Sequence, residues 1–312
     1  MTHVWAHQLR DLGRDMSGAH QHPRVSILTP SYNQAQYIGD TLQSVACQTY
    51  PNVEHIVMDG ASTDTTVDIL KAVTQPVTWR SEPDRGQCDA LNKAFALSTG
   101  EIIGWLNSDD AYFDCDVIQR VVDCFLAEPS VDVVYGHAVR TAADGRIVWV
   151  IWTPRFNRRL MRRMNFLVQP TVFIRRSALP TFLVDESFDF TMDWELWLRL
   201  AGAHRFKRLN SVLAIDRYQP NRKNSTAVDV FRENETRLAP LYGVGRPPYW
   251  MWTIYHRFYT VRQRILGGLL VHEIARTKLA YGGYLDGERE LGRRQVLLRK
   301  ARWNAEDLET WG

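Results

Sequence analysis

The stretch Trp105–Asp110, WLNSDD, places two adjacent carboxylates where a hydrophobic segment, EIIGWL, has just run out. Neighbouring carboxylates repel unless solvated or neutralised, and a divalent cation is the common neutraliser. Magnesium or manganese held there would keep waters and take phosphate oxygens as its remaining ligands. A surface turn, or an acidic start to the next helix, uses the same residues without a metal. Three other apolar segments end in polar loops: VSILTP in Ser31-Tyr32-Asn33, VEHIVM in Asp59-Gly60-Ala61-Ser62-Thr63-Asp64, and VTWRS in Glu82-Pro83-Asp84-Arg85-Gly86. Asp59 is placed to accept hydrogen bonds from a base or a ribose. Asp64 reads as the N-cap of TTVDILKAV, and Gly60 as a left-handed turn residue. Downstream, MDWELWL carries Asp193 and Glu195, which diverge on a helix, and Trp194 and Trp197, which serve either as core residues or as a platform for a sugar ring.

Short apolar runs alternate with helix-length amphipathic segments from Val25 to Gly136, the pattern of right-handed βαβ units whose parallel sheet is covered on both faces. Ligands of such a sheet bind outside the carboxyl ends of its strands, so the four polar loops are expected to line one cleft. After Gly136 the pattern changes: AVRTAADGRIVWVI predicts a β-hairpin around Asp144-Gly145, adding antiparallel strands to the sheet. RFNRRLMRRMNF, with five arginines in nine residues from Arg155 to Arg163, predicts a helix whose basic side is a solvated face or an anion-binding one. TVFIRR predicts a strand, and HRFKRLNSVLAIDRY a strand pair.

Composition narrows the function. At 312 residues and 45% hydrophobic content the chain can bury a sizeable core, and a formal charge of +3 is too mild for a dedicated nucleic-acid binder. The four cysteines, Cys47, Cys88, Cys115 and Cys124, lack zinc or disulfide spacing, which suits a reducing cytoplasm. Residues 1–23 form a polar arm whose histidines lack metal-site spacing and which has no signal-peptide core, and no run of about 18 apolar residues is available for a membrane span. Neither a G-x-x-x-x-G-K-[ST] loop nor a G-x-G-x-x-G turn follows the first strand, which lowers the weight of kinases, ATPases and dinucleotide enzymes.

The ordered series PSYNQAQYIGDTLQSVACQTYPNVEHIVMDGASTD, DRGQCDALNKAF, GEIIGWLNSDD and FDFTMDWELWLRL resembles the inverting family 2 glycosyltransferases, across roughly Arg24 to Ser225. The resemblance implies the GT-A fold, a Rossmann-like mixed α/β sheet with helices on both faces. It puts Pro30, Tyr32, Asn33 and Asp59 at nucleoside-contacting positions, Arg85 near the diphosphate, and Asn107, Ser108, Asp109 and Asp110 at the metal-binding motif, with Asp109 and Asp110 as ligands of Mn2+ or Mg2+. Asp193 falls on the catalytic base, with Glu195 in reserve and Trp194 toward the acceptor. The family's late loop carries Tyr218, Arg222 and Lys223 here, in place of a frequent histidine. Many relatives have Asp where this chain has Asn107, and Asn107→Asp is expected to be tolerated or to strengthen metal binding.

The implied reaction moves a sugar from a nucleotide donor, UDP most often in the family, to a hydroxyl of a glycan or lipid-linked acceptor. A nucleotidyltransferase would share the α/β core and paired carboxylates but would carry a glycine-rich basic loop after the first strand. A glycan-binding scaffold would have lost the base or both metal carboxylates. The expected organisation is a transferase domain over 24–228 and a C-terminal helical extension over 229–312. The extension's apolar stripe, Trp250 to Leu270 with interleaved arginines, packs on the body or on a second subunit, or docks on the inner face of the cell membrane.

Overall fold

The computed structural model describes residues 22–142, 147–218 and 228–245, together with Ile254, Arg257 and Val261. Nine strands form one mixed sheet ordered β3-β2-β1-β4-β8-β6-β9-β5, with β7 paired to β6. Strands β1 (Val25–Ser31), β2 (Val53–Asp59), β3 (Thr78–Ser81) and β4 (Ile102–Trp105) run parallel. Helices α1 (Ile38–Ala46), α2 (Thr66–Ala72) and α3 (Gln87–Leu97) alternate with them. Every residue of β1 is buried, as a central strand covered on both faces requires. Leu28 and Val133 join one buried cluster while Ile27 and Val134 join another, because successive side chains leave a strand on opposite faces. In α1, Ile38, Thr41, Leu42 and Val45 are buried, the spacing of one helical face.

The second half is mixed and less regular. Strands β5 (Ala111–Tyr112), β6 (Val133–Thr141), β7 (Ile147–Ile151), β8 (Phe173–Arg175) and β9 (Phe206–Arg217) complete the sheet around helices α4 (Val117–Ala127), α5 (Arg158–Met161), α6 (Met192–Leu200) and α7 (Val228–Tyr242). Strand β6 pairs with β7 and β8 antiparallel but with β9 parallel. The expected hairpin pairs Ala138 with Ile151 and Val139 with Val150, while its turn at Asp144-Gly145 lies outside the described residues.

Three local expectations are corrected. HRFKRLNSVLAIDRY is one strand, and its pairing with β6 jumps from Tyr135↔Arg208 to His137↔Val212. Residues 209–211 bulge opposite Gly136, where a Cβ would stand 2.6 Å from the Leu213 side chain, so only glycine fits. The arginine segment forms a single short helix, Arg158–Met161, with Phe156, Leu160, Met161, Met164 and Phe166 packed against the core. In the β2 loop the left-handed residue is Ala61 (φ 59°), while Gly60 makes room for Asp84, whose Oδ2 lies 2.6 Å from where a Cβ would be.

The start of the C-terminal extension packs on the body: Leu238 of α7 is fully buried in the core that holds Trp194 and Trp197. Gly243, at φ 67°, ends that helix and donates its N–H to Ala239. Of the N-terminal arm, residues 1–21 lie outside the described ones, and Pro23 accepts a hydrogen bond from the Tyr50 hydroxyl.

Candidate active site

The carboxyl ends of β1, β2 and β3 are level, since Ser31 pairs with Asp59 and Asp59 with Ser81, and β4 ends beside Leu28. Pro30 is tolerated because β4 pairing has ended by that point and no N–H is needed on that side. Tyr32 projects from the strand end with 58% of its surface exposed. Asn33 adopts φ 51°, which asparagine accepts more readily than most residues, and its Oδ1 receives the Thr63 amide at 2.8 Å. Asp59 is buried and already accepts from the Ser62 amide and hydroxyl and from the Ser81 hydroxyl. It shapes the loop and retains acceptor capacity for one more donor. Asp64 does accept the first amide of α2, from Thr66, and also ties down the Ala35 amide.

Arg85 follows Asp84 and is 74% exposed, with its guanidinium 2.9 Å from both Asp89 and Glu186. Gly86 at φ 113° opens α3, and its amide is held by Asp84 Oδ1 at 2.8 Å. The next residue, Gln87, donates to Asn107 Oδ1 at 2.8 Å, joining the start of α3 to the WLNSDD loop.

Asn107 is the hub of that loop. Its Oδ1 accepts from Gln87 and from the Trp105 indole, each at 2.8 Å, and its Nδ2 donates to Gln169 Oε1 at 2.9 Å and to Asp110 Oδ2 at 3.5 Å. Gln169 closes the circuit by donating to the Trp105 carbonyl. An aspartate at 107 has no donor for Gln169 and would set a second charge against Asp110, so the expectation that Asn107→Asp is tolerated is corrected.

The two carboxylates of the loop differ. Asp110 is fully buried; its Oδ1 accepts the Arg217 amide at 3.0 Å, and its carbonyl accepts the Thr41 hydroxyl at 2.7 Å. Asp109 is half-buried, and its carbonyl accepts from Arg217 Nε at 3.1 Å. The two carboxylates expected as metal ligands are thus placed differently: Asp110 is buried with Oδ1 on the Arg217 amide, and Asp109 is half-buried. Ser108 is buried between the loop's polar groups. Among the described residues no cluster of three or more histidine, cysteine, aspartate or glutamate side chains is arranged to hold a metal. The donor set fits a hard cation that arrives with a diphosphate, taking Asp109 as its protein ligand and phosphate and water oxygens for the rest.

Asp193 sits in the first turn of α6, which packs on the start of α3 through Met192 against Cys88. Its Oδ2 accepts from Asn165 Nδ2 at 2.8 Å, and its Oδ1 from the Trp194 amide at 2.7 Å. Burial nevertheless raises its pKa, outweighing both hydrogen bonds. Glu195 is placed elsewhere: it is 2% exposed, ion-paired with Arg199 at 3.1 Å, and accepts from the Tyr242 hydroxyl. Through Tyr242 it clamps α6 to α7. Trp194, expected to face the acceptor, is instead buried with its indole N–H on the Met161 carbonyl at 2.7 Å. Tyr218 is exposed just after β9, and Arg222 and Lys223 lie outside the described residues.

Four side chains that organise the site escape a reading of the sequence: Gln87, Asn165, Gln169 and Arg217. Asn165 and Gln169 interrupt the apolar run NFLVQPTVF, the one local sign that polar groups are needed there. Arg217 ends a strand, and nothing local distinguishes it from any other arginine. It is 4% exposed, pairs with Asp40 at 2.6 Å and lies over the Tyr37 ring.

Residues 26–182, half of the chain, match the family described as Glycosyl transferase family 2. The chain belongs to that family. A chondroitin synthase and a hyaluronan synthase of Pasteurella multocida are each 28% identical, over 201 and 195 residues, and this chain spans about a fifth of their lengths, 21% and 20%. A PGL/p-HBAD biosynthesis glycosyltransferase of Mycobacterium bovis is 31% identical over 185 residues, 57% of this chain and 69% of the relative. Among solved structures, S. aureus TarS in complex with UDP-GlcNAc superposes with a TM-score of 0.54 at 20% identity, covering 69% of this chain and 66% of that one. The mannosyltransferase PcManGT of Pyrobaculum calidifontis, in complex with GDP-Man and Mn2+, gives 0.53 at 21% identity over 93% of this chain and 83% of its own. These likenesses show the GT-A fold. In this family 2 glycosyltransferase the mixed sheet, with its parallel half ending in the polar loops, is that fold.

Proposed function

We propose that this family 2 glycosyltransferase moves a sugar from a nucleotide diphosphate donor, UDP being the first to test, to a hydroxyl of a glycan or lipid-linked acceptor in one in-line displacement with inversion. The observation that carries the reading is the placing of a half-buried carboxylate, Asp109, after the end of β4 and of a hydrogen-bonded carboxylate whose pKa burial raises, Asp193, at the start of α6. Tyr32, Asn33 and Asp59 receive the nucleoside at the ends of β1 and β2, and Arg85 stands toward the diphosphate, oriented by Asp89 and Glu186. A divalent cation held by Asp109 supplies charge neutralisation for the departing diphosphate. Asp193 takes the proton of the attacking hydroxyl, and its raised pKa makes it a stronger base than a solvated aspartate. Asn165 fixes the orientation of its carboxylate.

TarS with UDP-GlcNAc and PcManGT with GDP-Man and Mn2+ support a nucleotide-sugar donor and manganese. Polysaccharide or glycolipid assembly at the inner face of the cell membrane is the setting we infer. No helix among the described residues is long and apolar enough to cross a membrane.

The test is calorimetry with UDP-, GDP- and dTDP-sugars, with and without manganese. Asp109→Ala is expected to weaken nucleotide diphosphate binding about tenfold with manganese present and much less after chelation. Equal losses in both conditions would remove the cation role, and a wild-type chain that binds no nucleotide sugar would remove the donor reading.

A further inference from the structure

The segment between β7 and β8 carries charge that the transfer reaction above leaves unused. Arg155, Arg158, Arg159 and Arg163 are exposed and Arg162 is half-buried. Among the described residues none of the five has a carboxylate partner, whereas Arg85, Arg120, Arg140, Arg199 and Arg217 all have one. Their common direction follows from the packing. Asn157 caps the short helix by accepting the Leu160 amide at 3.0 Å, Met161 is fully buried, and Leu160 and Met164 lie against the core, so the arginines are left outside.

This segment runs antiparallel along α6. Arg158 Nη2 lies 3.8 Å from the Cβ position of Gly202, just past the helix's C-terminal end. Met161 receives the Trp194 indole, and Asn165 reaches Asp193 at the other end. Asn165, which touches the base, comes two residues after Arg163, and from there the arginine face runs back along a helix of nine residues, about 14 Å at 1.5 Å per residue. Two of the five have partial structural uses: Arg158 complements the negative end of α6, and Arg163 donates to the Gly245 carbonyl at 2.8 Å. Arg155, Arg159 and Arg162 have none. Clustered like charges repel and are unfavourable without a counter-ion. All the cations from 155 to 163 are arginine rather than lysine, the side chain whose planar fork matches phosphate oxygens in pairs.

We propose that this face binds an acceptor that itself carries phosphate, seating the phosphate on Arg155, Arg159 and Arg162 while the acceptor hydroxyl reaches Asp193. The proposal rests on Asp193 being the base. It commits to phosphate belonging to the acceptor rather than to bilayer headgroups, because the face adjoins the point of proton transfer.

The experiment uses the full chain and the double variant Arg159→Gln/Arg162→Gln, whose altered side chains are outside the core. Calorimetry with inorganic tripolyphosphate in EDTA is expected to show binding to the wild type and to Asp109→Ala, weakened at least about tenfold in the double variant. UDP binding with manganese should be the same in wild type and double variant. Equal tripolyphosphate affinity in the two chains overturns the proposal. So does the pattern of a bilayer-docking face: no tripolyphosphate binding, but sedimentation with phosphatidylglycerol vesicles that the double substitution abolishes. A wild type that binds tripolyphosphate but neither UDP nor any nucleotide sugar would overturn the transferase reading, and the acceptor role with it.

Discussion

The two halves of the sheet build their parts of the site differently. On the β1–β4 side the polar residues stand at or soon after strand ends, and several of their bonds are local: Asp59 is held by Ser62, three residues on, and Arg85 by Asp89, four residues on, with Ser81 and Glu186 as more distant partners. On the β8–β6–β9 side the decisive contacts join residues far apart in sequence. Asn165 meets Asp193, Gln169 meets Asn107, and Arg217 reaches both Asp109 and Asp110. A half that leans on local turns can be assembled strand by strand, while a half built from long-range polar contacts depends on the whole sheet closing.

Substitutions probe that contrast, and the largest effect is expected at the base. Asp193→Asn should lower turnover by roughly 100-fold or more while leaving donor binding nearly intact, measured by steady-state kinetics beside calorimetry. Because burial raises the Asp193 pKa, the acid limb of the kcat profile should lie above the usual aspartate range, with activity lost as pH falls through it. The sign for stability is opposite. A folded-state pKa above the unfolded one means stability is lost as pH rises through the folded value, so at neutral pH the ionised carboxylate is a cost and Asp193→Asn should raise the melting temperature. A variant that is inactive and also less stable would show that Asp193 acts in packing rather than as the base.

A smaller effect is expected where the two halves meet. Asn107→Asp leaves Gln169 Oε1 without its donor and crowds Asp110, and should cost about 1–3 kcal/mol in denaturant unfolding. Asn107→Asp that is as stable as wild type and binds manganese more tightly would restore the metal-ligand role and break the amide circuit as an explanation. The smallest effect on turnover is expected at Glu195→Gln, with kcat within about twofold of wild type, since a residue that touches no reacting group alters rate only indirectly. Its loss should appear in stability, through the Arg199 and Tyr242 contacts. A large fall in kcat at unchanged stability would move the base to Glu195.

Much of the β1–β4 half is legible in the order of its residues. Alternation of apolar runs with amphipathic helices implies a parallel sheet, and polar residues at four strand ends then have to converge, because parallel strands share one carboxyl edge. The hairpin of β6 and β7 and the helix at Met192–Leu200 are legible for the same local reasons. Trp194 and Glu195 are not. Their types suit a sugar platform and a base, and only packing against Met161, Arg199 and Tyr242 removes them from the cleft.

The sequence by itself determined the order of elements, the edge at which ligands gather and Asp109 as a candidate, since periodicity and strand-end chemistry are properties of contiguous residues; Asp193 became a candidate through the family resemblance of its motif. Tertiary structure alone decided that Asp110 is an anchor, that Asn107 must donate as well as accept, and that the segment carrying the arginines of 155–163 reaches Asp193 through Asn165. The physical reason is that the role of a polar side chain depends on which donors and acceptors desolvate with it, and those partners come from segments as far as 177 residues away, as Arg217 is from Asp40.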